Sequence, residues 1–167
     1  MSEITRDRLM ESFRLDEETG IFYWRSPPSC HAYLMGSVAG RCVTERTGKQ
    51  YWQIKVDNKM YKRSRMVFLV MHGKLPFPCV DHKNGNSLDD SPLNLREATE
   101  EQNARNRKTH KKSNDLPRGV KQVKDKFVSL IRHNKKQEHL GTFGTIEEAL
   151  GMYLSKRKEY YGEFAEY

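Results

Sequence analysis

Residues 80–106, VDHKNGNSLDDSPLNLREATEEQNARN, constrain this 167-residue chain more than any other stretch. Asp81 and His82 stand side by side, and Asn84-Gly85-Asn86 follows as a turn signal that supplies positive φ at low cost. Asn94-Leu95-Arg96 comes next, then Thr99-Glu100-Glu101-Gln102, which has the form of a capping box. The Thr99 hydroxyl accepts a helix amide in such a box, and Gln102 reaches back to the cap residue. The expected order is strand, long loop, short strand, helix. Asn103 falls in the first full turn of that helix, with Asn106 and Arg107 three and four residues on along the same face.

Aspartate and asparagine offer oxygen ligands, which suit a hard divalent cation such as Mg²⁺; Mn²⁺ suits the same oxygens. A neutral histidine beside such a cation can take a proton from water near neutral pH. Together these are the parts for attack on a phosphodiester, the metal offsetting charge and the histidine making the nucleophile. Adjacent residues of a regular strand point to opposite faces. Asp81 and His82 can therefore serve one phosphate only where the strand ends or bulges, which the Lys83-Asn84-Gly85 turn allows.

The stretch resembles the HNH nucleases, in particular their phage and homing-endonuclease branch. The residues that carry the likeness are Asp81-His82, Asn94-Leu95-Arg96, Ala98-Thr99 and Gln102-Asn103-Ala104-Arg105-Asn106, all in order and at fitting spacing. The resemblance implies a ββα-metal unit in which His82 is the general base. It makes Asp81 and Asn103 the metal ligands, and Asn94 the residue that braces the hairpin and orients the histidine. In relatives the residue before Arg65 is commonly histidine, and this chain has Ser64 there. That removes a second imidazole near the phosphate and leaves the base and ligands in place. Arg65 itself is a candidate DNA contact.

Charged residues make up 31% of the chain and hydrophobic ones 36%, so small modules are expected rather than one large core. No apolar run is long enough to span a membrane and the first ten residues lack an apolar signal core, which points to a cytoplasmic location, in a bacterial or phage-infected cell by the resemblance. Cys30, Cys42 and Cys79 form no C-x-x-C pair, so reduced thiols are expected and zinc is not. Between Arg105 and His139 lie twelve Lys/Arg and three acidic residues. That local charge of +9 against +8 for the whole chain suggests a polyanion partner, nucleic acid first.

The first third predicts a helix over Thr5–Phe13, an aromatic strand over Gly20–Trp24 and a short strand near Val38. A hairpin follows, with strands Tyr51–Val56 and Met60–Arg63 flanking Asp57-Asn58-Lys59. The acidic Glu17-Glu18-Thr19-Gly20 turn before Ile21-Phe22-Tyr23-Trp24 is similar to the leader of phage HNH enzymes. Its aromatics suit either a core or stacking on bases. Arg65–Met71 is expected to be a buried helix capped at His72-Gly73, and His72 a structural residue. Thr109–Pro117 is polar and lysine-rich, a linker.

Beyond it, strands are expected over Gly119–Val123, Lys126–Arg132 and Glu138–Phe143, with a turn at Asn134-Lys135-Lys136. The second strand has apolar residues on both faces, so its periodicity does not say which face meets the helix that starts at the Thr145–Glu148 capping box. This last third resembles the Apetala/ethylene-response-factor type of DNA-binding domain. Arg118-Gly119-Val120, the Phe127–Arg132 strand, His139–Phe143, Thr145–Ala149 and Gly162–Ala165 carry the likeness. It implies a three-stranded sheet in the major groove. The candidate contacts there are Arg118, Lys121, Lys126, Arg132 and Lys136, with Arg107, Lys108, Lys111 and Lys112 before them.

The expected fold is thus α+β and modular: a small N-terminal α+β region (1–60), an HNH unit (61–108), a basic linker (109–117), and a C-terminal three-stranded antiparallel sheet packed on one helix (118–167). The expected function is metal-dependent hydrolysis of a phosphodiester in double-stranded DNA, as site-directed nicking or homing cleavage. One catalytic unit per chain implies nicking by a monomer; double-strand cleavage needs a dimer or two successive nicks. Two alternatives stay open, a catalytically silent DNA-binding or regulatory protein and an RNA-binding one.

Overall fold

A computed structural model describes residues 4–106 and 116–165, and for Arg105 and Glu163 the backbone alone. It separates into two compact units, residues 1–104 and 105–167. The expected basic linker and the candidate contacts Arg107, Lys108, Lys111 and Lys112 lie outside the described residues. Among those residues no helix is long and apolar enough to cross a membrane.

The first unit opens with α1 (Arg6–Ser12), whose N-cap Thr5 accepts the Arg8 amide through its side chain. β1 (Phe13–Asp16) and β2 (Ile21–Trp24) form a hairpin. Its turn is tied by the Asp16 carboxylate, which accepts the amides of Glu18 at 3.0 Å and Thr19 at 3.2 Å. Phe22 is fully buried, worth about 1.5–3 kcal/mol for a side chain of this kind, and Trp24 packs against the same core. These two aromatics belong to the core. Val38 makes only a single bridge, to Tyr23.

β3 (Arg41–Thr44), β4 (Gln50–Val56) and β5 (Lys59–Lys62) make a three-stranded antiparallel sheet with β4 central. Asp57 and Asn58 both take positive φ, 47° and 63°, the two-residue turn that matches the twist of a hairpin. α2 runs Arg63–His72, and Gly73 ends it in the left-handed conformation. The helix begins two residues before the sequence suggests, and β5 correspondingly ends at Lys62. Arg63 and Ser64 are buried rather than extended because Arg63 has an ionic partner inside the unit. β6 (Cys79–His82) and β7 (Leu95–Ala98) pair antiparallel, and α3 (Glu100–Arg105) follows. Both halves of the expected capping box form: the Thr99 amide donates to Gln102 at 2.8 Å and the Gln102 amide to Thr99 Oγ1 at 3.2 Å. One core joins Leu9, Phe13, Phe22 and Ile54 to Met66, Val67 and Leu95, so residues on both sides of position 60 share it.

In the second unit β8 (Val120–Val123), β9 (Lys126–His133) and β10 (Lys136–Phe143) form an antiparallel sheet packed on α4 (Ile146–Tyr161). The turn between β9 and β10 is shorter than the sequence suggests. Asn134 and Lys135 alone supply it, both at positive φ, and Lys136 already pairs with His133. Packing decides what alternation could not: Ser129 and Ile131 are buried toward the helix, with Ala149 and Tyr153. Val128, Leu130 and Arg132 therefore take the other face. Gly119 lies so close under the Tyr153 ring that a β-carbon there would overlap it. The Thr145–Glu148 capping box forms in full. All three cysteines are free thiols.

Candidate active site

His82 is the last residue of β6, facing Leu95 across the hairpin, and Asp81 faces Arg96. The register is regular through both pairs, with no bulge, so Asp81 and His82 leave β6 on opposite faces, and His82 is the last residue of the strand.

Asp81 is buried, and its Oδ2 accepts from Arg96 Nε at 2.9 Å, with Arg96 Nη2 in ion-pair contact at 2.8 Å. The guanidinium is the ionic partner of this carboxylate inside the protein, where an unpaired charge would be costly. Asn103, on α3, donates its side-chain nitrogen toward Cys79 Sγ at 3.6 Å. Cys79 precedes Asp81 by two residues and so shares its face of β6. Asn103 thus lies over the face that carries Asp81, and its amide oxygen is the end turned away from the sulfur. A carboxylate oxygen and an amide oxygen are the donor types a hard divalent cation takes. Among the described residues no group of three or more His, Cys, Asp or Glu side chains gathers as a metal site.

The His82 ring is fixed by a residue the sequence reading did not single out. Its Nε2 lies 2.9 Å from Asp90 Oδ1, and the other Asp90 oxygen accepts from Arg63 Nε at 2.7 Å. The Arg63 and Asp90 side chains are only 4% and 2% exposed, so this is a desolvated ion pair. The Arg63 guanidinium also lies 4.7 Å over the Trp52 ring and donates to the Leu88 carbonyl. From the other side, Gly20 of the β1–β2 turn presses on the Asp90 backbone so closely that a β-carbon at position 20 would overlap its carbonyl oxygen. Two cues point to this arrangement in retrospect. An arginine opens an apolar helix, and a second acid, Asp90, follows Asp89 in the loop after the histidine.

Asn94 bridges the two ends of the loop. Its oxygen accepts the Asn84 amide at 2.9 Å, and its nitrogen donates to the Asp89 carbonyl at 2.6 Å. Its contacts are to the loop backbone, and the carboxylate on the imidazole belongs to Asp90. The Ser91 hydroxyl, with help from the Ser91 amide and the Asn84 side chain, holds the Asp89 carboxyl below its ordinary range against the opposing effect of burial. Arg65, on α2, donates to the Pro78 carbonyl beside the start of β6.

In the second unit, Lys121, Lys126 and Arg132 fall on the sheet face opposite α4 by register, with Val128 and Leu130 between them. Lys136 pairs with His133, whose ring stacks on Tyr160 of α4, so its parity belongs to the helix side. Arg118 lies in the turn before β8.

Residues 61–105 match the family model described as HNH endonuclease. The chain is also similar to an uncharacterized HNH endonuclease of Acanthamoeba polyphaga mimivirus. The two are 28% identical over 121 residues, covering 71% of this chain and 63% of that protein's length. The chain thus spans less than two thirds of the curated relative it matches. No solved structure matches it.

Proposed function

We propose that the HNH segment at residues 61–105 is the catalytic unit of an endonuclease that hydrolyses a phosphodiester of duplex DNA. The single observation that carries this is the setting of His82: a histidine at a strand end, held by a buried carboxylate, next to an aspartate paired with Arg96. Asp90, accepting from Nε2, selects the tautomer whose lone pair is on Nδ1, the form that takes a proton from water. Asp81 and Asn103 would hold the cation through their oxygens, with Mg²⁺ preferred and Mn²⁺ suited to the same donors. A divalent cation bound there offsets charge on the phosphate and on the leaving 3′ oxygen. The products are a 5′ phosphate and a 3′ hydroxyl.

The C-terminal sheet is proposed to hold the duplex in the manner of the Apetala/ethylene-response-factor domains. Lys121, Lys126 and Arg132 would lie toward the groove on the face that α4 leaves open, and sheets of this kind enter grooves. With one catalytic unit per chain, nicking by a monomer is the expected mode, and double-strand cleavage would need a dimer or two successive nicks. Supercoiled plasmid carrying a selected site is the test. Open-circular product with Mg²⁺ and none with EDTA supports the reading. No product in either lane leaves a silent DNA-binding protein in its place.

A further inference from the structure

We infer that the solvent face of β3–β4–β5 is a duplex-binding surface that works with the catalytic loop, an inference that rests on the nuclease reading above. Trp52, Ile54 and Val56 of β4 alternate toward the core side, with Ile54 and Val56 buried. The opposite parity therefore faces solvent. Across the three strands that parity sets Arg41, Gln53 and Lys62 in one row, Val43 and Tyr51 in the next, and Lys55 beside Met60. On that parity stand three Lys/Arg, Arg41, Lys55 and Lys62, and no Asp or Glu, while Lys59 pairs with Val56 and takes the other parity. The acid at the hairpin tip, Asp57, is engaged by Arg8 at 2.6 Å and 3.0 Å, so its charge is already matched. Lys62 Nζ lies 4.6 Å over the Tyr51 ring, and Gln53 donates to the Tyr51 hydroxyl.

A twisted antiparallel sheet presenting arginine, glutamine and lysine in a row has the shape and chemistry of a groove reader. Arginine pairs with guanine and glutamine with adenine, while the lysines neutralise phosphates. The charge of this face is complementary to a duplex.

The sheet is also tied to the chemistry. Ser87, in the loop after His82, donates to the Gln50 carbonyl of β4 at 2.6 Å. On the inner face, Trp52 lies beneath Arg63, which holds Asp90, which holds His82. The sheet that carries this face is therefore anchored to the loop that carries the imidazole, and the face would help choose which linkage is cut.

The test compares the full-length chain with its R41Q/K55Q/K62Q variant on a cut-site duplex across a salt series. Because all three side chains are exposed, the melting temperature should not change. The salt slope of log affinity is expected to fall by about two to three, and affinity near physiological salt by roughly tenfold or more. Hydroxyl-radical footprints should lose one contiguous block of protection. Unchanged slope, affinity and footprint, in a chain whose wild type binds and cuts the duplex, would overturn the inference. So would wild type released more readily by single-stranded RNA than by duplex. A wild type with no duplex affinity defeats the nuclease reading itself, and that result is read in the wild-type arm alone.

Discussion

Replacing His82 with alanine is expected to lower the rate of phosphodiester cleavage about 10²–10⁴-fold, the usual contribution of a positioned general base. Duplex affinity should stay where it was, because a base acts on the water in the transition state and adds little to ground-state binding. The loss should therefore fall on kcat. His82 sits at the partly open end of β6 rather than in the core, so truncation leaves the hairpin pairing through Asp81–Arg96 intact. Added imidazole should restore part of the rate by occupying the space beside Asp90. Single-turnover cleavage of a labelled duplex measures all of this. A variant that cuts at the wild-type rate would remove His82 from the mechanism.

Asp90→Ala is expected to have the largest effect on stability of any single change at the site. It leaves the Arg63 guanidinium buried without its carboxylate, and breaking such a pair costs about 3–5 kcal/mol. It also takes the acceptor from His82 Nε2, so activity should fall even at temperatures where the variant is folded. The two effects separate in the double variant R63M/D90L. Replacing both partners of a buried pair with apolar side chains is often close to neutral for stability. That variant should regain most of the lost melting temperature and stay impaired in kcat. Recovery of both would make Asp90 a packing residue and nothing more.

Much of the local structure was legible in the sequence because its signals are local. The capping boxes at Thr99 and Thr145, the Gly73 cap and the Asn94 brace all depend on residues three to ten positions apart, where spacing carries the geometry. The α+β class and the three-stranded sheet on α4 follow from alternation and from turn residues in the same way. What could not be read was set by distance along the chain. Arg63 and Asp90 are 27 positions apart, and Gly20 meets Asp90 from 70 positions away. No period links such residues. The inward face of β9 was undetermined for a related reason: both its faces are apolar, and only the helix laid against Ser129 and Ile131 chooses between them.

Base and cation ligands are proposed to converge on one linkage, and paramagnetic broadening during a Mn²⁺ titration of the ¹⁵N-labelled full-length chain tests this most directly. The side-chain amide of Asn103 and the backbone signals of Asp81 and His82 should broaden first and together, and D81N should abolish the effect at all three. Broadening scattered over surface carboxylates, or confined to a site that spares Asn103 and His82, would contradict it.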